Sequence, residues 1–315
     1  MHGYAAGMAV RTAFVFGGGG VLGATQIGML RALLARDVRP DLIVGTSVGA
    51  LNGALVATDP SAATVDRLSG LWTSLSRSGV FSDSVVAQVA RLAAHRTHLH
   101  SAQPLRRMLE QHLEIERIED LPVHFECVAA SIERSVAHWF SSGSVIDAVV
   151  ASCAVPGLFP PAPVDGEHFY DGGLVHSIPV GRAVQLGARR IYVLHVGRIE
   201  RPLSPPRWPW EVGVVAFEIA RRNRFVEEVR SLPADVQMHV LPSGEPDTRS
   251  FNVRYRDVRR VSARIERAYS ATSQYLDGVG AGAELDVDGV ADHDNGVADH
   301  GAGVADNGAG NDGAG

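Results

Sequence analysis

A serine flanked by two glycines, in Gly45-Thr46-Ser47-Val48-Gly49, is the first residue of this chain whose setting suggests chemistry. An apolar run leads into it and a helical pattern begins at Val48, so the serine stands on a sharp strand-to-helix turn that lifts its hydroxyl beside a helix N-terminus. Such a serine can also serve only as a helix N-cap, and the residues alone leave that open. Upstream, Phe16 to Ala24 reads FGGGGVLGA. Consecutive glycines turn the backbone tightly and expose N–H groups next to a positive helix end, a setting that holds an anion. Two anions fit: a pyrophosphate, since Gly18, Gly20 and Gly23 satisfy G-x-G-x-x-G, or the oxyanion of an acyl transfer. A dinucleotide site wants an acid at the end of the second strand, where this chain has Thr46 and Ser47, and that favours acyl transfer. A base for the serine is available in Asp171, followed by Gly172 and Gly173 at the close of a short aromatic stretch. Asp-Gly pairs also make ordinary hairpin turns, and Asp165-Gly166 reads as one.

These residues need elements to position them. Short apolar or β-branched runs alternate with helical patterns, which predicts a mostly parallel sheet covered by helices. The expected strands are Thr12 to Phe16, Leu42 to Gly45, His124 to Ala130, Ile191 to Val196 and Val236 to Leu241. The expected helices are Val21 to Ala35, Val48 to Ala57, Ala62 to Leu75, Val85 to Ala94, Pro104 to Leu113, Pro179 to Leu186, Val212 to Leu232 and Val258 to Leu276. Only Arg201 to Pro209 (RPLSPPRWP) breaks the pattern strongly, so residues 10–277 read as one α/β domain. Residues 278–315 read as a low-complexity appendage: they carry no aromatic residue, and GVAD heptads start at Gly289, Gly296 and Gly303. Gly-Asp repeats can bind calcium in a parallel β-helix, but three short units without a regular large apolar position favour disorder.

The chain has 315 residues, of which 45% are apolar and 20% charged, a globular composition. Its net charge of −6 is concentrated in the appendage, since residues 281–315 hold eight acids and no base. The remainder carries 29 basic against 27 acidic residues. That near-neutral balance gives no electrostatic footprint for nucleic acid. Cys127 and Cys153 lie in apolar surroundings and read as core thiols. Neither a secretory signal nor an apolar run of about 18 residues is present, so the expectation is a cytoplasmic protein. Arg207 to Trp210 and the following helix, with Val215, Ile219, Val226 and Val229 on one side and Arg221, Arg222 and Arg224 elsewhere, suit either peripheral contact at the inner membrane face or a helix packed on the sheet with its arginines in water.

In order and spacing, Gly18-Gly19-Gly20-Val21-Leu22-Gly23, Gly45-Thr46-Ser47-Val48-Gly49 and Asp171-Gly172-Gly173 resemble the patatin-like phospholipase family, a likeness running from about Thr12 to Asp277. ASCAVPGLFPP from Ala151, DGGLVHSIPV from Asp171 and VLPSG from Val240 are similar as well. The resemblance implies a doubly wound, mostly parallel sheet flanked by helices. It also implies cleavage of phospholipids or related acyl esters by a Ser-Asp dyad through an acyl-enzyme, with no cofactor and no metal. Carried over residue by residue, it makes Ser47 the nucleophile, Asp171 the base and the N–H groups of Gly18, Gly19 and Gly20 the oxyanion hole. Gly23, Gly45, Gly49, Gly172 and Gly173 match the motif glycines. Two positions depart from the family: Leu22 stands where Arg or Lys is usual, and His176-Ser177 where paired asparagines are frequent. The same dyad would serve an acyltransferase, and the same fold a non-catalytic lipid-binding protein. A Ser-Asp-His triad would need His176 or His195, while His95, His98 and His100 read as a solvated loop.

Overall fold

The structure is a computed structural model that describes residues 11–78, 98–196, 203–207, 209–244 and 258–280. Its strands join in one sheet: β1 (Arg11–Phe16), β2 (Leu42–Thr46), β3 (His124–Ser131), β4 (Val136–Phe140), β5 (Ala162–Val164), β6 (Glu167–Asp171), β7 (Ala188–Leu194) and β8 (Gln237–Val240). The helices are α1 (Ala24–Leu34), α2 (Val48–Thr58), α3 (Ala62–Ser78), α4 (Gln103–His112), α5 (Val145–Ser152), α6 (Val180–Gln185), α7 (Pro209–Arg230) and α8 (Val258–Gly280). The expected helix over Val85 to Ala94, part of the break around Pro209 and all but the first residues of the appendage lie outside the described residues.

The parallel part runs β3-β2-β1-β7-β8, so the chain winds outward from β1 in both directions. Strand order therefore reverses beside β1. In open α/β sheets the crevice at the carboxyl ends of the strands flanking such a reversal is where ligands bind, and the glycine loop leaves β1 there.

Alternation along the strands separates the two faces. Phe14, Phe16, Ile43, Phe125, Cys127 and Ala129 point into one core layer, shared with Ile27, Leu30, Leu33, Ala54, Leu68, Leu109, Val149 and Ile265 from the helices. Ala13, Val15, Leu42, Val44 and Val193 are as deeply buried on the opposite face, the side of Val180 and Ala183 on α6. Both cysteines are buried free thiols. Helix α8 seats directly on α1, and Gly28 permits it, because a Cβ there would stand 2.2 Å from the Ile265 carbonyl oxygen.

The antiparallel strands β4, β5 and β6 and the helix α5 were not among the expected elements. Val136–Phe140 (VAHWF) is half-exposed and Ala162–Val164 is only three residues long with a central proline, so neither carries a strong strand pattern. Asp165 and Gly166 do form the hairpin turn between β5 and β6, at φ 48° and 85°. The helix expected from Val21 instead opens as a 3-10 turn, Gly20–Gly23, and becomes α-helical at Ala24.

Candidate active site

The sheet register alone brings Ser47 and Asp171 together. Strand β3 pairs with β4 over Cys127–Ser131, with β2 over His124–Val128 and with β6 over Ala129–Ser131. A residue cannot pair twice on one side, so β2 and β6 share the edge of β3 opposite β4. They meet there head to head. Thr46, the last residue of β2, lies opposite Val128, and Asp171, the last residue of β6, lies opposite the next residue, Ala129. The residue leaving β2 thus runs directly into the carboxylate that ends β6.

Ser47 takes up φ 55°, ψ −127°, a left-handed conformation that costs a non-glycine residue roughly 1–3 kcal/mol. Its carbonyl accepts from the N–H groups of Ala50 and Leu51 and so starts α2, while its side chain makes no capping bond. The hydroxyl instead donates to Asp171 Oδ2 at 2.5 Å. The Ser47 N–H donates to Ser152 Oγ at 2.9 Å, and that hydroxyl donates to the Val128 carbonyl at 2.7 Å, which ties the elbow to β3. The elbow needs its glycines for close packing: a Cβ at Gly49 would stand 2.2 Å from the Phe16 carbonyl oxygen, and one at Gly45 2.7 Å from Ala50 Cα.

Asp171 is 4% exposed. Its Oδ1 accepts the Gly173 N–H at 2.7 Å. Gly172 lies so close to β3 that a Cβ would fall 2.1 Å from the Val128 carbonyl oxygen. Burial pushes the carboxyl pKa up to about 6, against the opposing pull of the hydrogen bonds from Ser47 and Gly173. That leaves a carboxylate at neutral pH which is more basic than an ordinary aspartate. Cys153, buried beside the pair, is held as a thiol by burial and by the Asp171 charge.

The glycine loop is stitched at both ends. The Gly17 N–H donates to Leu194 O and the Gly18 N–H to Ser177 O, at 3.0 and 2.8 Å. The Gly18 amide, expected among the oxyanion donors, is therefore already engaged. The amides of Gly19 and Gly20 make no bond among the described residues, and both glycines are exposed. Behind the loop, Gln26 Nε2 donates to Gly17 O and Leu194 O, Asn52 Nδ2 donates to Gly23 O and Gln26 Oε1, and Trp72 Nε1 donates to Asn52 Oδ1. All three side chains are buried. This amide network and the Ser152 bridge escaped the sequence reading. Their signal was a polar residue inside an otherwise apolar helical stretch, as in IGMLRALL after Gln26 or VVAS before Cys153.

The remaining candidates separate. His176 Nδ1 pairs with Glu228 Oε1 at 2.6 Å and its ring packs on Trp139. His195 is buried just past β7, with its Cβ 3.4 Å from where a Cβ on Gly17 would lie. Neither holds Asp171, whose carboxylate bonds Ser47 directly. His100 is buried against Phe159 rather than solvated, because the chain bridges there to Gly157 and Leu158. Helix α7 follows the expected packing only in part: Val215, Val226 and Val229 are half-buried and Arg224 is exposed. Val212 and Ile219 are exposed, whereas Arg221 packs inward, paired with Glu218 at 2.7 Å. Among the described residues no group of three His, Cys, Asp or Glu could hold a metal ion, and no helix is long and apolar enough to cross a membrane.

Three comparisons bear on this arrangement. A patatin-like phospholipase family model matches residues 14–184. A patatin-like phospholipase domain-containing protein of Caenorhabditis elegans is 34% identical over 223 residues, 69% of this chain and 20% of that one. Patatin-like phospholipase domain-containing protein 6 of Homo sapiens is 32% identical over 187 residues, 59% of this chain and 13% of that one. The chain thus spans at most a fifth of the length of these curated relatives. Among solved structures, VipD from Legionella pneumophila shares 15% identity at a TM-score of 0.44, covering 85% of this chain and 66% of that one. The matched segment takes in more than half of the chain and includes the glycine loop, the serine elbow and the aspartate turn, and the chain belongs to the patatin-like phospholipase family.

Proposed function

We propose that this chain is a lipid acyl hydrolase in which Ser47 and Asp171 work as a dyad. The observation that carries the reading is the 2.5 Å bond from Ser47 Oγ to the buried Asp171 carboxylate. Asp171 takes the hydroxyl proton as Ser47 attacks an ester carbonyl. The developing oxyanion is held by the amides of Gly19 and Gly20. Collapse releases the alcohol, which regains the proton from Asp171, and leaves an acyl-serine. Asp171 then deprotonates a water that attacks this ester, and the returned proton restores the Ser47 hydroxyl. No step calls on a metal ion. The relatives are named phospholipases and, in Aspergillus terreus, a lysophospholipase. These names support an acyl ester of a phospholipid or lysophospholipid as substrate.

Substrate would be met at a lipid surface. Leu174, on the turn after Asp171, is 44% exposed, and α7, which packs on that turn, exposes Val212 and Ile219 at 54% and 56%. Apolar side chains facing water on this turn and this helix support peripheral contact with lipid.

The test is covalent labelling. A fluorophosphonate should modify the wild type at Ser47 and leave Ser47→Ala unlabelled and inactive toward p-nitrophenyl esters. A label mapping to another serine would overturn the assignment.

A further inference from the structure

Ser177 stands out among the buried polar groups that the dyad leaves unused. It is 6% exposed, yet its hydroxyl makes no hydrogen bond among the described residues. Its place explains why an idle hydroxyl matters. A Cβ built on Gly18 would lie 3.5 Å from Ser177 Oγ and 3.5 Å from Ser47 Cβ, so the two serines flank that glycine and lie no more than twice this distance apart. Apart from the glycine's own chain neighbours, no atom comes nearer that point than 3.5 Å, so it has room for an atom of an ester attacked by Ser47 Oγ, within reach of the Ser177 hydroxyl. The Ser177 backbone meanwhile accepts the Gly18 N–H at 2.8 Å. The same residue that removes one amide from the loop's donor set sets a side-chain donor beside it.

We infer that the Ser177 hydroxyl is a further catalytic group, which donates a hydrogen bond to the carbonyl oxygen of the substrate as negative charge develops there. It completes with the Gly19 and Gly20 amides a three-donor oxyanion hole. The hydroxyl keeps its proton throughout, so the proton balance of the dyad is unchanged. Because the donor is buried and committed to no other acceptor, aiming it costs no bond within the protein, and a donor held ready in a water-poor site acts mainly on the transition state. The inference rests on Ser47 being the nucleophile.

Ser177→Ala deletes the hydroxyl and nothing it holds, so the variant should fold with an unchanged Tm. With p-nitrophenyl and long-chain alkyl esters alike, kcat should fall about 10²-fold at unchanged KM. Affinity for an alkyl trifluoromethyl ketone, whose serine adduct carries the oxyanion but no leaving group, should fall by a similar factor. Ser177→Thr, which keeps a hydroxyl, should recover most of both. Analogue affinity within about twofold of wild type would overturn the inference. So would a loss confined to alkyl esters, because that places the hydroxyl at the leaving oxygen instead. Ser47→Ala is assayed in parallel. Activity retained there overturns the nucleophile and this inference together, whereas an inactive Ser47→Ala beside a fully active Ser177→Ala overturns the Ser177 role alone.

Discussion

Replacing Asp171 by Asn should cut turnover at least about 10²-fold and, at neutral pH, make the protein more stable. The folded environment raises the carboxyl from an ordinary value of 3.8 to about 6. A carboxyl whose folded pKa is raised binds protons more readily folded than unfolded, so this group favours folding most at low pH, and that advantage is lost as pH rises through about 6. Above that point the buried charge costs about 3 kcal/mol, at 1.36 kcal/mol per pKa unit. Asn is of the same size, accepts the Gly173 N–H through its carbonyl and carries no charge. Asp171→Asn should therefore melt about 5 °C higher than wild type at pH 8. The gain should shrink to roughly 0.5 kcal/mol near pH 4, where the wild-type carboxyl is protonated when folded and nearly half protonated when unfolded. Thermal melts of both proteins at the two pH values measure this directly, and kcat/KM should drop at least about 10²-fold. The wild-type kcat/KM should also fall about tenfold per pH unit below an apparent pKa near 6, where Asp171 loses its capacity as a base. An Asn variant less stable than wild type at pH 8, or an offset that does not change with pH, would refute the reasoning.

Leu22 removes a cation from the glycine loop, so neutral esters such as monoacylglycerols should be turned over with higher kcat/KM than phosphatidylglycerol, and Leu22→Arg should narrow that ratio; a ratio indifferent to the substitution, compared at fixed ionic strength, would show that the loop does not read headgroup charge. Gln26→Leu strips the donor from Gly17 O and the acceptor from Asn52, and should cost about 2–4 kcal/mol of stability, read by urea titration, with kcat falling more than KM rises. An unchanged urea midpoint would mean that the amide network does not support the loop. Ile219→Glu places a charge on the exposed apolar side of α7 and should reduce flotation with phosphatidylglycerol–phosphatidylcholine vesicles while sparing hydrolysis of a soluble p-nitrophenyl ester; undiminished flotation would rule out this face as the contact.

Strands β1 and β2 were legible because they are buried on both faces and read as short apolar runs, TAFVF and LIVG. The serine elbow was legible for a related reason: Gly45 and Gly49 have no room for a Cβ, so their spacing carries the backbone geometry. What escaped was set by distant partners. Strand β6 is recognisable only through its pairing with β3, and α5 is eight residues long with polar neighbours, too short for a periodicity to emerge. The engagement of the Gly18 amide depends on Ser177, far along the chain, and no local pattern reports it. On α7, Ile219 and Arg221 depart from the expected faces, because a helical wheel cannot tell which side a neighbour covers, and Glu218 makes an inward Arg221 tolerable.

The head-to-head meeting of β2 and β6 on one edge of β3 turns the distance between Ser47 and Asp171 into a count of residues. Each partner is fixed by a ladder position, Thr46 at Val128 and Asp171 at Ala129, so the separation of hydroxyl and carboxylate changes only in whole register steps of about 3.3 Å. The stretch of chain between Ser47 and Asp171, 124 positions apart in sequence, enters that distance through the short edge of β3, the Ser152 bridge and the Ala154 carbonyl that holds the Asp171 N–H. Outside those points it can lengthen, shorten or acquire a new covering segment without moving the two side chains apart. The surroundings of the pair and the pair itself can then vary separately: the segments around the mouth can be remodelled while one strand edge keeps Ser47 and Asp171 in contact.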